Sequence, residues 1–345
     1  MRNRIERIEY IDAIRGFMML LVVYGHIETF SFYGFNYDTI IGTFIRAFWM
    51  PLFFFVSGFV AILSERKIDI LKSIKKKAST LLIPTLIIGS IYVILCCNSD
   101  FLYAIKNNAK VGYWFTLVSF EIFVVYYILR KYKVSYLWMF VLALVLYALK
   151  LPLKLNSTFC EVGNVLSLHY MFEYFQFFIF GAVAAKYKDV FAKILDQKIL
   201  IVIISFLLLM YVKCEVIGFD YRSNLFTHII STFNDLLLGY LGLLLVFAVF
   251  KHYEFRFSKT TKLGYSLQYI GRRTLDIYLL HYFFLPTLPM VGNFFKEYPN
   301  MVLELTVGIV LSLLIIGVCL IVSNVLRTSD ILGYWLFGAK KIDNK

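Results

Sequence analysis

Long apolar stretches separated by short polar ones run the length of the chain. Ten of them reach or approach the roughly 20 residues that a helix needs to cross about 30 Å of bilayer hydrocarbon. They lie near residues 11–30, 42–63, 79–97, 113–130, 134–150, 168–187, 198–213, 233–250, 274–292 and 301–323. The pattern predicts an all-α polytopic membrane bundle of about ten transmembrane helices. The segments after Val134 and Lys198 are short enough to tilt or to be partly buried. No Pro-rich, Ser-rich or low-complexity linker interrupts the series, so residues 1–345 read as a single domain, with spans within about 11–323 and a short C-terminal tail.

Composition agrees with a membrane class: 60% of residues are hydrophobic and 17% are charged, too few to cover a soluble domain of this length. Charge then sets the orientation, because cytoplasmic loops hold the excess of Lys and Arg. With the N-terminus inside, 26 of the 35 Lys and Arg fall on inner segments: Arg2, Arg4 and Arg7, then Arg66 to Lys77, Arg130 to Lys133, Lys186 to Lys198, Lys251 to Arg273 and Arg327 to Lys345. Seven fall outside (Lys106, Lys110, Lys150, Lys154, Lys213, Arg222 and Lys296), while Arg15 and Arg46 lie within or at the edge of spans. Both termini are therefore expected in the cytoplasm, and the protein is expected to be multi-pass in the cell's inner membrane. The net charge of +13 is explained by basic flanks facing anionic lipid headgroups, which makes membrane lipids the expected partners and leaves no case for nucleic acid. Arg2, Arg4 and Arg7 before an apolar run resemble a signal peptide, but Asp12 and Arg15 interrupt the run and no Ala-x-Ala-like site follows, so the segment is expected to be retained. Cys96, Cys97, Cys160, Cys214 and Cys319 show no metal-ligand spacing; Cys160 and Cys214, in expected outer loops, could pair in an oxidising compartment.

Ionisable groups inside spans are costly and by default face a protein interior or an aqueous cavity. The first span holds Asp12, Arg15 and His26. Arg15 and His26 are eleven residues apart, about three helical turns and ~16 Å, and Asp12 lies one turn below Arg15, so all three share one face, with Met19 and Val22 between. This face joins a cationic inner mouth to a deeper imidazole. The same spacing fits a plain helix end, with Arg15 snorkelling to the headgroups and His26 hydrogen-bonded in the bundle. The fourth span places Glu121 about two turns below its outer end, at a depth like that of His26, which suits a general base and an orienting carboxylate, with a structural His/Glu or Glu/Tyr hydrogen bond as the alternative. The ninth span brings Arg272 and Arg273 at its inner edge, then Asp276 and His281, which are five residues apart and only loosely co-facial. Pro51, Ser57 and Gly58 in the second span read as architecture, a bend and a small surface for another helix. "KSIKKKASTLLIP" is an expected inner loop whose Lys75, Lys76 and Lys77 suit lipid phosphates or an anion-binding mouth. There is no P-loop, GxSxG elbow, HExxH or dinucleotide fingerprint, so neither ATP hydrolysis nor a metal site is expected.

Six stretches in order, "YIDAIRGFMMLLVVYGHI", "MPLFFFVSGF", "LLIP", "YWF...SFE", "FFIFGAVAAKY" and "GRRTLDIYLLH", make the chain resemble the acyltransferase 3 family over nearly its whole length, closest to the fucose 4-O-acetylase-like branch. The resemblance implies an integral membrane O-acyltransferase that moves an acyl group, usually acetyl, from cytoplasmic acyl-CoA to a hydroxyl of a glycan or other acceptor. Acetyl-CoA is then a co-substrate, and no permanently bound cofactor is implied. Carried over by position, it implies His26 as the catalytic histidine, Glu121 as its acidic partner, and Asp12 and Arg15 in the acyl-donor channel; on the chemistry of phosphate binding, Lys75, Lys76, Lys77 or Arg272 are then expected to aid Arg15 on the CoA phosphates. Trp49 and His281 are the further candidates for substrate contact. Relatives commonly have histidine before "MPLFFF" where this chain has Trp49, which can pack against a sugar or a pantetheine arm but cannot relay a proton. A transporter or flippase would also use buried His, Glu and Arg, and a non-catalytic family member would keep them as scaffold.

Overall fold

The computed structural model describes residues 8–34, 39–63, 69–96, 101–154, 157–217 and 225–339. Among them there is no strand. The first helices are α1 (Glu9–His26), continued by a wider π segment at Ile27–Tyr33, α2 (Ile40–Leu63), and α3 (Ile70–Lys77), which runs through a second π segment into α4 (Ile83–Cys96). Then follow α5 (Phe101–Lys106), α6 (Trp114–Lys131), α7 (Tyr136–Lys154), α8 (Ser157–Leu166) and α9 (Leu168–Lys186). The chain continues with α10 (Lys188–Tyr211), α11 (Leu225–His252), α12 (Lys262–Arg272) and α13 (Thr274–Leu280), and ends with α14 (Pro289–Glu297), α15 (Met301–Leu326) and α16 (Asp330–Phe337).

All ten apolar segments predicted from the sequence are helical. By length and composition, six of the described helices can cross a membrane, or seven if the bent pair α13 and α14 is one span. The segments at α6 and α9 are less apolar because they carry Glu121, Arg130 and Lys131, and His169, Glu173 and Gln176. The predicted ninth span breaks after Leu280 into a 3₁₀ turn and bends by 89°. Pro286 and Pro289 account for the break, since each lacks an amide donor and disfavours helix in the residue before it.

Three predicted inner loops are partly helical. The basic run lies in α3, whose start is capped by Asp69 accepting from the Lys72 amide. Lys188, Lys193 and Lys198 lie on α10. Residues 262–272 form α12, capped by the Thr261 hydroxyl. Lys213, read as an outer-loop cation, is buried and paired with Asp235 at 3.0 Å and Ser231 at 2.8 Å. Cys96, Cys160, Cys214 and Cys319 are free thiols, so the possible Cys160–Cys214 pair is not formed. Arg2, Arg4, Arg7, Arg66, Lys67, Cys97, Arg222, Lys340, Lys341 and Lys345 lie outside the described residues, as does the side chain of Lys154.

The chain passes back and forth between two compact units. The first comprises residues 1–56, 184–274 and 284–318; the second 57–183, 275–283 and 319–345. In the first, α12 lies along α1 because two glycines remove the side chains that would hold the helices apart. A Cβ on Gly16 would collide with the Leu267 carbonyl, and one on Gly271 with the Asp12 carbonyl. Tyr10, Phe55, Phe191 and Phe247 pack edge to face around this pair. In the second unit, Gly58 admits the backbone of Phe178, whose ring meets Phe123 and Tyr126 of α6.

Candidate functional site

Within the first unit, His26 closes α1 and is half-buried. Its ring lies 5.9 Å from Trp49 and 5.7 Å from Phe30, both edge-on. Trp49 reaches it because Gly25 has no side chain, and a Cβ there would enter the indole ring. The structure thus brings together two predicted site residues far apart in sequence, His26 and Trp49.

Two residues after His26 stands a residue that the sequence reading missed. Glu28, in the π segment, is 2% exposed. Its carboxylate accepts from Arg46 Nη1 at 3.2 Å and from the Thr39 hydroxyl. Gly42 lies against the same carboxylate, so closely that a Cβ would displace it. The available signal was the pairing of an acidic residue two places after His26 with Arg46, a lone cation in the next span. π segments recur at functional sites because the widened turn re-aims side chains.

At the other end of α1, Asp12 is buried and Arg15 is half-exposed, with Nη1 3.9 Å from Asp12 Oδ1, a distance of charge attraction without a hydrogen bond. The contact of Gly271 with Asp12 sets exposed Arg272 at this same end, its Nε donating to the Gln268 carbonyl at 3.1 Å. Asp12, Arg15 and Arg272 therefore all lie at this end of α1. Between this end and His26, Met19 and Val22 are buried, so the face predicted to link the two is filled at its middle.

The second unit holds the other candidates. Glu121 is half-buried on α6, and its Oε2 is buried without a hydrogen-bond partner among the described residues. Lys110, in the turn before α6, donates to the carbonyls of Ile105, Asn107 and Asn164 at 2.5–2.8 Å. Burial pushes its ammonium down to about 8, against the attraction of the Glu121 carboxylate. Asp276 is fully engaged: Arg327 donates to both its oxygens at 2.7 and 2.8 Å, and Ser323 donates to Oδ2. His281 is buried at the break after α13, its Nδ1 2.8 Å from the Tyr278 carbonyl and its ring 4.1 Å from Tyr282. Lys75 and Lys76 are exposed on α3, whereas Lys77 sits 3.4 Å over the Phe123 ring. His26 and Glu121 thus belong to different units, and Arg272 shares a unit with Arg15 while Lys75 to Lys77 do not.

A family model described as an acyltransferase domain, that of the acyltransferase 3 family, matches residues 8–323. The chain belongs to the acyltransferase 3 family. No curated protein and no solved structure matches it. This membrane acyltransferase places His26, the one half-exposed imidazole of α1, beside an aromatic wall and two residues before Glu28, which pairs with Arg46. An imidazole so held can accept a proton from a hydroxyl and return it to a leaving group. A guanidinium such as that of Arg15 suits phosphate recognition through its planar fork.

Proposed function

We propose that this acyltransferase moves an acetyl group from acetyl-CoA to a hydroxyl of a cell-surface or exported glycan, working in the inner membrane with its CoA side in the cytoplasm. The observation that carries the reading is the arrangement on α1: Arg15 at one end, where Arg272 of α12 also lies, and His26 at the other. The ~16 Å between them matches an extended pantetheine arm. The CoA phosphates rest at Arg15 and Arg272, and the thioester lies at His26. His26 takes the proton of the attacking hydroxyl and delivers it to the departing thiolate. Trp49 supplies an apolar wall for the pantetheine arm or the sugar. Because Met19 and Val22 fill the middle of the face, the donor's arm displaces their packing as it enters, and methionine is the side chain best able to yield.

The test is reconstitution of the full chain in nanodiscs with acetyl-CoA labelled in the acetyl group and a lipid-linked or soluble glycan. Label transfer to the glycan is expected, with a loss of about 10²- to 10⁴-fold in a folded His26→Ala variant. Near-wild-type transfer by that variant refutes the assignment. The 89° break between α13 and α14 is a feature shared with transporters, which build sites from discontinuous helices. Movement of label across the membrane without transfer to an acceptor would establish that reading instead.

A further inference from the structure

Acyl transfer at His26 creates a charge that the histidine cannot hold. When the acceptor oxygen attacks, the thioester carbonyl oxygen becomes an oxyanion, and enzymes of this kind stabilise it with donors fixed in advance. The first unit presents a fixed cation at the right level. α1 and α2 run antiparallel here, with Trp49 over Gly25 and Arg46 against Glu28. Arg46 and Trp49 are one turn apart on α2 and share a face, and Trp49 is the residue whose edge meets His26. Arg46 is therefore carried on the face of α2 that looks toward the end of α1 where His26 stands. Its side chain keeps 30% of its surface exposed, whereas that of Glu28 keeps 2%.

We propose that Arg46 is a catalytic residue that receives the negative charge of the acyl carbonyl oxygen, and that Glu28 is the positioning residue that aims it. The proposal rests on the acyl-transfer reading of His26 given above. The acceptor oxygen forms a bond to the carbonyl carbon while its proton passes to His26, and the π pair of the carbonyl moves to its oxygen, opposite the Arg46 guanidinium. The pair then returns, the carbon–sulfur bond breaks, and the proton on His26 goes to the CoA sulfur. Arginine has five N–H donors in a rigid fork, and the contact with Glu28 is made through Nη1. Glu28 is itself built in: the Thr39 hydroxyl donates to it, the Gly42 amide donates to Thr39 Oγ1 at 2.9 Å, and the absence of a Gly42 side chain makes room for the carboxylate. Sequence chemistry and packing both go into fixing one guanidinium one turn along α2 from Trp49, the residue that meets the base.

The competing account is an ion pair that only ties α1 to α2. Full-length protein in nanodiscs is assayed for release of free CoA from acetyl-CoA, beside melting temperature. Arg46→Lys keeps the charge and the pair with Glu28 but loses the fork; it is expected to melt like the wild type, to keep its KM for acetyl-CoA, and to lose at least tenfold in kcat. Arg46→Gln is expected to lose about 10²- to 10³-fold, and Glu28→Gln an intermediate amount. A kcat for Arg46→Lys equal to wild type overturns the inference, and no CoA release by the wild type overturns the reading beneath it.

Discussion

Asp276 and Glu121 are carboxylates of the same compact unit, and they are served in opposite ways. Asp276 is 2% exposed, and both its oxygens are taken, by the Arg327 fork and by Ser323. The guanidinium of Arg327 also lies 4.9 Å over Phe337, so one carboxylate ties α13, α15 and α16 together. Glu121 has a buried oxygen for which no described residue provides a donor. A buried polar group without a partner is expensive and uncommon in native proteins. The difference sets a framework carboxylate, matched atom for atom, against an unmatched one, which under the proposed function is the carboxylate open to a group that arrives later.

Removing Asp276 tests the first half of that contrast and carries the largest effect. Asp276→Ala leaves Arg327 without its bidentate partner, and breaking a buried pair from one side costs about 3 kcal/mol or more. The variant is expected to melt well below the wild type in detergent and to lose activity because it loses structure. Asp276→Asn, which keeps one acceptor oxygen, should fall in between. A melting curve unchanged in Asp276→Ala would show that the pair contributes nothing to the framework.

Glu121→Gln tests the second half. It removes the charge while keeping the shape, so the melting temperature should hold or rise, as is common when a functional group is replaced at the expense of activity. Turnover of acetyl-CoA should fall by about 10²-fold. If stability fell and turnover did not, Glu121 would belong with Asp276.

Glu28 of the first unit is a second matched carboxylate, and Gly42 is the means of breaking it. Gly42→Ala drives a methyl into the carboxylate that holds Arg46, and overpacking of this kind costs about 1–3 kcal/mol. The expected outcome is a modest drop in melting temperature with a larger drop in kcat, because the displaced group aims the guanidinium. A drop in melting temperature alone would return the pair to the framework.

How far the sequence reveals these roles depends on range. Apolar length locates the long helices, because crossing hydrocarbon is a property of about 20 consecutive residues, but not the short α3, α5, α8, α12 and α16. The break after Leu280 is legible too, in Pro286 and Pro289. Helical periodicity sets Arg15 and His26 on one face, but it cannot show that Met19 and Val22 are buried between them, which depends on neighbouring helices. For the same reason Asp276 and His281 look alike in sequence to Glu121, all being polar groups in an apolar run. What separates them is contact with residues 47 positions away for Asp276 and with its own helix backbone for His281. Glu28 went unnoticed because its partner is 18 residues distant, on the next helix. Gly16, Gly25, Gly42 and Gly271 carry no signal of their own until the helix pressed against each is known.

The smallest effect concerns exposed cations. Arg272 lies at the Asp12 end of α1 with Arg15, whereas Lys75 and Lys76 stand on α3 in the other unit. If the CoA phosphates rest at the α1 end, Arg272→Ala should raise the KM for acetyl-CoA two- to fivefold, since one exposed charge contributes about 0.2–1 kcal/mol. The effect should fade near 0.5 M salt, where screening shortens to a few ångströms. Lys75→Ala with Lys76→Ala should leave that KM unchanged and instead weaken association with anionic lipid, to which a basic helix surface contributes about 1 kcal/mol per charge. KM values for acetyl-CoA across a salt series separate the two. A KM that rises on removing the lysines and stays put without Arg272 would move the phosphates to α3, and the α1 end would then be an anchor to the headgroups.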